Sequence, residues 1–239
     1  MNFLPTIAEG IAVRASFNDS YLDNSFFQIA NMHVMVCDKT QMSKRSKTDG
    51  LDAQQESVLD LVHRGRNVFF TGSAGTGKSF LIRRLIEVER CERNVDVTAL
   101  TGIAATNVDG TTLHSFAGIG LATETIPDLI DKVTANYKAV HRWKRCSLLI
   151  IDEISMMSAE LLEKIDAVAR AVLDESKAMG GLQVVLVGDM KQLGPVNKNT
   201  IDDRYCFESP VWKKLNLACI ELKTNYRQHE KELIDGLAA

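Results

Sequence analysis

One short segment of the chain has the residue types and spacing that bind phosphate groups. It reads, in order, Gly72, Ser73, Ala74, Gly75, Thr76, Gly77, Lys78 and Ser79. The glycines let the backbone curl until successive N–H groups converge on phosphate oxygens, and Lys78 adds a positive charge that reaches the outer phosphates. The hydroxyl of Ser79 is a suitable ligand for Mg²⁺. The segment follows a predicted strand and begins a predicted helix, which favours a nucleoside triphosphate site over a chance glycine-rich turn.

Two adjacent carboxylates form a second candidate site. Asp152 and Glu153 follow the apolar run 148–151, so they lie at the carboxyl end of a buried strand, where open α/β sheets bind their ligands. We predict that Asp152 holds Mg²⁺, through water, and that Glu153 orients or deprotonates the attacking water. An Asp-Glu pair after a strand is often only a solvated helix start. Its position two elements downstream of the phosphate loop favours the catalytic interpretation.

A third motif, GDMKQL, follows another apolar strand and occupies residues 188–193. Its glutamine, Gln192, is predicted to contact the γ-phosphate or the lytic water and so to report hydrolysis. A turn at the strand exit, capped by Asp189, is the alternative interpretation. That alternative would be preferred if the motif stood without the other two.

The elements that must position these motifs alternate along the chain. Apolar runs predict four buried strands, at NVFFTG, VDVTAL, SLLIIDE and GLQVVLVGD. Helical spacing of apolar residues predicts helices over 51–65, 78–91, 102–110, 123–144 and 159–176. On the second of these helices, the residues expected to face the core are Phe80, Leu81, Leu85, Ile86 and Val88. This alternation predicts an α/β fold, a parallel β-sheet flanked by helices.

The composition is that of an ordinary globular protein, with 45% hydrophobic and 25% charged residues. A protein that holds nucleic acid mainly by neutralising phosphates is usually more basic than this chain, whose net charge is −3. The five cysteines are scattered and form no CxxC pair, which argues against a disulfide framework or a zinc site. No apolar run is long enough to cross a bilayer. Residues 1–50 are predicted to be an irregular tail or linker.

Residues 51–237 together resemble the superfamily-one, 5′-to-3′ DNA helicases of the Pif-one type. The segment TALTGIAATNVDGTTLHSFAGIG, residues 98–120, is the most distinctive part of this resemblance, because it separates that family from other phosphate-loop ATPases. LDAQQ resembles the family's adenine-reading motif, which implies that Gln55 contacts the base. ELKTNYRQ resembles the segment leading to the family's fourth motif, which implies that Arg227 reaches the γ-phosphate.

The resemblance implies a RecA-like first motor domain over residues 51–239, with ATP and Mg²⁺ as cofactors. In the family, the segment 98–120 lies along single-stranded DNA. The positions carried over as DNA contacts are Thr101, Gly102, His114, Ser115 and Phe116. For His114 and Phe116, ordinary packing inside the protein is the alternative.

The sequence also departs from the family pattern. Met190 and Lys191 stand where the family usually has aromatic residues, and Gly194 stands where it usually has a second proline. Family members need a second RecA-like domain, which supplies another arginine to the nucleotide and the other half of the DNA track. We expect that domain to be missing from this chain.

The implied function is that of an ATP-dependent DNA helicase that moves 5′ to 3′ on single-stranded DNA and unwinds duplexes and forks. The resemblance further implies genome maintenance, including DNA repair, recombination and telomere maintenance, in the nucleus or the mitochondrion. A nucleotide-binding module without motor activity is the main alternative. A small-molecule kinase or a ring-forming ATPase would need lid or sensor segments that the sequence does not show.

Overall fold

The structure, a computed structural model, describes residues 50–192 and 204–227. The predicted tail therefore lies outside the described residues except for Gly50, as does Gly194. Within the described ranges, no helix combines the length and the apolar character needed to cross a membrane.

Within the described residues, the sheet has six strands, all parallel, in the order β3-β2-β4-β5-β1-β6. Their bounds are β1 Val68–Thr71, β2 Val95–Ala99, β3 Thr111–Thr112, β4 Leu148–Asp152, β5 Gln183–Gly188 and β6 Ala218–Glu221. The four predicted strands are confirmed as β1, β2, β4 and β5. The two edge strands were not predicted, because β3 has only two residues and β6 is only partly buried along its length.

Helices connect the strands on both faces of the sheet. They are α1 Ala53–His63, α2 Lys78–Glu89, α3 Gly102–Asn107, α4 Leu113–Ala117, α5 Ile126–Thr134, α6 Tyr137–Arg145, α7 Ala159–Val172 and α8 Pro210–Lys214. Three single 3₁₀ turns accompany them, at Ile154–Met156, Ala178–Gly181 and Cys206–Glu208. The helical pattern predicted over 123–144 is two helices, because the side chain of Asn136 accepts from the N–H groups of Lys138 and Ala139 and begins a new helix.

The four central strands, β1, β2, β4 and β5, are buried on both faces, which confirms the predicted α/β fold class. Successive residues of β4 alternate between two apolar clusters: Leu148 and Ile150 pack on the face that α1 and α2 cover, and Leu149 and Ile151 on the face that α5, α6 and α7 cover. This double cover explains why the central strands are continuous apolar runs.

The inner face of α2 differs from the prediction. Leu81, Leu85 and Val88 are buried as expected, but Ile82 is also buried while Phe80 is 49% exposed. Ile86 is only partly buried. Because α2 begins at Lys78, a turn of 100° per residue puts Phe80 outside the arc that faces the sheet. The prediction for Phe80 was therefore wrong.

A matched pair of substitutions on α2 tests this assignment of faces. Leu85→Ala should lower the free energy of unfolding by about 2–5 kcal/mol, because it leaves a cavity against a fully buried position. Phe80→Ala should lower it by less than about 1 kcal/mol. Urea unfolding followed by circular dichroism measures both, and equal losses from the two substitutions would contradict the assignment.

Candidate nucleotide-binding site

The glycine-rich loop joins the end of β1 to the start of α2, as predicted. Gly75 and Gly77 have φ angles of 91° and 81°, in the left-handed region that only glycine adopts readily. Gly77 is the N-cap of α2 and has no side chain to accept from the first N–H groups of the helix. The amino end of α2 is therefore left for an anionic ligand, which a phosphate group fits.

The positive charge of Lys78 lies over this loop. Its Nζ donates to the carbonyl oxygens of Gly72 at 2.6 Å and of Ser73 at 3.2 Å. Lys78 also lines a cavity of about 800 Å³, within the size range of small-molecule sites. The other residues lining it are Ala74, Gly75, Gly77, Ser79, Phe80, Glu153, Gln192, Tyr226 and Arg227. The structure therefore brings most of the predicted catalytic side chains around one space.

Arg227 reaches this cavity because its segment packs against the glycine loop. The N–H of Tyr226 donates to the carbonyl of Gly75 at 2.9 Å. A Cβ placed on Gly75 would lie 2.6 Å from Oδ1 of Asn225 and 2.9 Å from Cβ of Arg227. Only glycine permits this close approach, so Gly75 is needed both for its φ angle and for docking the 225–227 segment.

The acidic pair stands at the carboxyl end of β4. Asp152 is 6% exposed, and its Oδ1 accepts from the N–H of Glu153 at 2.9 Å. Glu153 has φ 56° and ψ 40°, a left-handed conformation that is uncommon outside glycine. With this backbone turn, Glu153 lines the same cavity as Lys78 while Asp152 stays buried.

The pKa of Asp152 is raised from 3.8 to about 6. Burial is the main cause, and the charge of Glu153 adds to it, while the N–H of Glu153 and the charge of Lys78 lower the pKa. The effect of Lys78 on this pKa shows that the loop lysine is close enough to the buried carboxyl for their charges to interact. Carboxylate and hydroxyl oxygens, such as those of Asp152 and Ser79, are donors of the kind that suits Mg²⁺.

Gln55 also reaches the glycine loop. Its side chain is fully buried, and its Oε1 accepts from the N–H of Asp52 at 3.2 Å. Its Nε2 has no hydrogen-bond partner within the described part of the chain, and it would lie 2.8 Å from a Cβ on Gly77. A buried, unpaired donor beside the loop fits a hydrogen-bond acceptor of a nucleotide base.

Gln192 lies between the nucleotide cavity and a second one. Its Nε2 donates to Oδ2 of Asp189 at 3.1 Å. The second cavity has about 730 Å³, and Glu153 and Gln192 line both cavities. Its other lining residues are Thr101, Ile103, Ala104, Asn107, Ser155, Met156 and Lys191. Of the two described positions that depart from the family pattern, Lys191 faces this cavity and Met190 packs against the core.

The residues predicted to contact DNA differ in how far their side chains are exposed at the surface. Thr101 lines the second cavity and caps α3, and Gly102 and Ser115 are exposed. His114 is half-buried, and this burial lowers the pKa of its imidazole. Phe116 is only 2% exposed and packs edge-on against Trp143 with ring centroids 4.9 Å apart. The prediction for Phe116 is corrected: it is a packing residue whose ring presents no face to a base.

Tyr226 and Asp52 belong to this site but were not predicted from the sequence. Tyr226 lines the cavity, and its hydroxyl donates to Oδ2 of Asp52 at 2.9 Å. Asp52 is the N-cap of α1 and forms a capping box with Gln55. The Asp-x-x-Gln spacing is a readable capping signal, so Asp52 could have been found. Tyr226 carries no local signal, because only the tertiary fold brings it to α1.

A phosphate loop after β1, an acidic pair at the carboxyl end of β4 and a glutamine after β5 define an α/β nucleotide-binding domain of the phosphate-loop class. A family model described as PIF1-like helicase matches residues 50–236. The chain therefore belongs to the PIF1-like helicase family, which confirms the resemblance predicted from the sequence.

Curated relatives agree with this family. The ATP-dependent DNA helicase PIF1 of Saccharomyces cerevisiae (strain YJM789) is 44% identical over 192 residues, which are 78% of this chain and 22% of that protein. The Homo sapiens protein of the same name is 41% identical over 200 residues, covering 83% of this chain and 31% of that protein. The chain thus spans between a fifth and a third of the length of these relatives.

Solved structures share the fold. The crystal structure of Pif1 helicase from Candida albicans matches with a TM-score of 0.72 at 44% identity, covering 77% of this chain and 42% of that chain. The Pif1 helicase from Bacteroides in complex with ADP-AlF3 and ssDNA matches with a TM-score of 0.64 at 33% identity, covering 77% and 44%. The RecA-like fold class is confirmed by these matches.

The raised pKa of Asp152 predicts a gain in stability when its charge is removed. Between about pH 4 and pH 6 the unfolded carboxyl has lost its proton while the folded one keeps it, so the free energy of unfolding falls as pH rises through this window. Each pKa unit corresponds to about 1.4 kcal/mol, so Asp152→Asn should raise the free energy of unfolding at pH 7 by on the order of 3 kcal/mol.

Urea unfolding without nucleotide or metal measures this effect. The gain should shrink toward zero at about pH 3, where the carboxyl of the wild type is protonated in both the folded and the unfolded state. The exposed Asp131→Asn serves as a control. An equal gain at both pH values would show that the buried charge is not its cause.

Proposed function

We propose that this chain is the ATP-binding motor domain of an ATP-dependent DNA helicase that moves 5′ to 3′ on single-stranded DNA. The observation that carries this proposal is the convergence of Lys78, Ser79, Glu153, Gln192 and Arg227 on one cavity. The curated relatives, which are named ATP-dependent DNA helicases, support it.

The phosphate end of ATP would occupy the glycine loop. Loop N–H groups and the amino end of α2 bind its oxygens, and Lys78 and Arg227 neutralise the outer phosphates from two sides. Ser79 and Asp152 would hold Mg²⁺, which when bound draws charge from the phosphate oxygens. Glu153 accepts a proton from the attacking water, and Gln192 orients that water.

The base end would lie toward α1. The free Nε2 donor of Gln55 is available to an acceptor on adenine, and its Oε1 is already fixed by the capping box. The capping box and the Asp52–Tyr226 hydrogen bond hold this amide in place from two elements. The base therefore meets a preorganised donor rather than a mobile one.

Single-stranded DNA would run along the segment 98–120. Thr101, Gly102, His114 and Ser115 are the contacts retained from the sequence, with hydroxyl and backbone groups positioning phosphates. Since Glu153 and Gln192 form the wall between the nucleotide cavity and the cavity lined by Thr101, a change at the γ-phosphate can reach this segment directly. The Bacteroides Pif1 structure with ADP-AlF3 and ssDNA supports this pairing of ligands.

This chain spans between a fifth and a third of the length of the curated relatives, so the activity of a whole helicase is a further proposal. In the relatives, the remaining length would include the second motor domain, and closure of the two domains around ATP would advance the strand. We further propose unwinding of forked DNA in repair, recombination and telomere maintenance, in the nucleus or the mitochondrion. These roles rest on the family alone.

Removal of the loop charge tests the nucleotide site. Lys78→Ala should weaken binding of a fluorescent ATP analogue by about 10- to 100-fold, because charge-assisted hydrogen bonds to phosphate are lost. Lys213→Ala, an exposed lysine on α8, should leave the affinity within twofold. Turnover of ATP with and without single-stranded DNA then separates a motor domain from a passive nucleotide-binding module. ATP binding by the Lys78→Ala variant as tight as wild type would refute the site.

Removal of the base donor tests the role of Gln55. Gln55→Leu should weaken ATP binding by about tenfold while inorganic triphosphate binds as before, because only the base contact is lost. Loss of the helix cap would weaken the binding of both ligands equally. It would therefore leave the ratio of the affinity for ATP to the affinity for inorganic triphosphate unchanged. Parallel losses for ATP and inorganic triphosphate would show that Gln55 does not read the base.

A further inference from the structure

Residues 132–151 form a stretch of the chain without acidic residues. Between Asp131 and Asp152 there is no aspartate or glutamate, but there are five basic residues: Lys132, Lys138, Arg142, Lys144 and Arg145. The whole chain carries a net charge of −3, so this stretch is a local concentration of positive charge. Helix α6 lies at its centre and holds four of the five basic residues.

The basic side chains of α6 share its outer face with an aromatic pair. Ala139 and Trp143 face the core and are fully buried, so the opposite arc of the helix faces solvent. Tyr137 is 80% exposed, and its ring lies 6.2 Å from that of His141, one turn away. Lys138 and Lys144 flank the pair and have no acidic partner among residues 50–192 and 204–227.

Helix α6 is joined rigidly to α4, which carries part of the segment proposed to bind DNA. Arg142 donates from its Nε to the carbonyl of Phe116 at 2.9 Å and from a terminal nitrogen to the carbonyl of Ser115 at 2.9 Å. Trp143 Nε1 donates to the carbonyl of Ala117 at 3.2 Å. These bonds satisfy the last carbonyls of α4, so the two helices form one surface.

We propose that the α6 face, defined by Tyr137, Lys138, His141 and Lys144, binds single-stranded DNA and extends the contact made by α4. The inference rests on the proposed function, because it assumes that DNA passes over the 98–120 segment. Lysines supply phosphate contacts and an exposed aromatic ring offers a platform on which a base can stack. A protein partner is less suited to this face, because the centres of protein interfaces are depleted in lysine.

A pair of double variants tests the charges. Lys138→Ala/Lys144→Ala should weaken binding of a fluorescent oligothymidine by about tenfold at moderate salt. It should also reduce the slope of log affinity against log salt by about 1.4, since each single-strand phosphate contact contributes about 0.7. The control Lys213→Ala/Lys214→Ala removes the same charge from α8, which leads into the strand at the opposite edge of the sheet, and should change neither quantity.

Substitutions of Tyr137 test the aromatic ring separately. Tyr137→Ala should weaken oligothymidine binding by about tenfold with an unchanged salt slope, and Tyr137→Phe should restore it, because stacking needs the ring but not the hydroxyl. Thermal unfolding confirms that each variant is folded.

If the α6 variants bind single-stranded DNA as tightly as the wild type does, this inference alone is overturned, and α6 is left as a protein-binding surface. Failure of the wild-type chain to bind single-stranded DNA, while it still binds ATP, would overturn the DNA part of the proposed function and this inference with it.

Discussion

The order of three parallel strands determines the site. In the order β4-β5-β1, all carboxyl ends point to the same edge of the sheet, and neighbouring strands lie about 4.8 Å apart. The loops after β1, β5 and β4 therefore emerge within about 10 Å of one another. Lys78, Gln192 and Glu153 stand on these three loops, far apart in the sequence, and line one cavity. A change in strand order would leave each motif intact and separate their side chains.

Several local features of the site are unfavourable in the protein alone, and one ligand would offset the first three of them. The amino end of α2 has no side-chain cap, Asp152 is a buried carboxyl, and Gln55 has a buried donor without a partner. Glu153 adds a left-handed backbone conformation. Proteins retain such features mainly where function requires them. Their clustering around one cavity is stronger evidence for a magnesium nucleotide site than any one of the motifs.

The sequence was sufficient where the signal was local. The glycine loop, the acidic pair and the four central strands could be predicted, because each is a short motif or an uninterrupted apolar run. The edge strands β3 and β6 were missed because one is very short and the other only partly buried. The burial of Phe116 depends on Trp143, and the position of Tyr226 depends on α1, so neither could be inferred from neighbouring residues. The basic face of α6 was readable as an acid-free stretch, but its contact with α4 was not.

The most direct test of the account is the nuclear magnetic resonance spectrum of the chain with Mn²⁺ and ATP. The paramagnetic ion broadens the amide signals that lie near it. The account predicts broadening of residues 72–79, of Glu153 to Ser155 and of Gln192, with no effect at the amino edge of the sheet, where Asn67 and Gln183 lie. Broadening of the loop signals without those after β4 and β5 would contradict a single shared site.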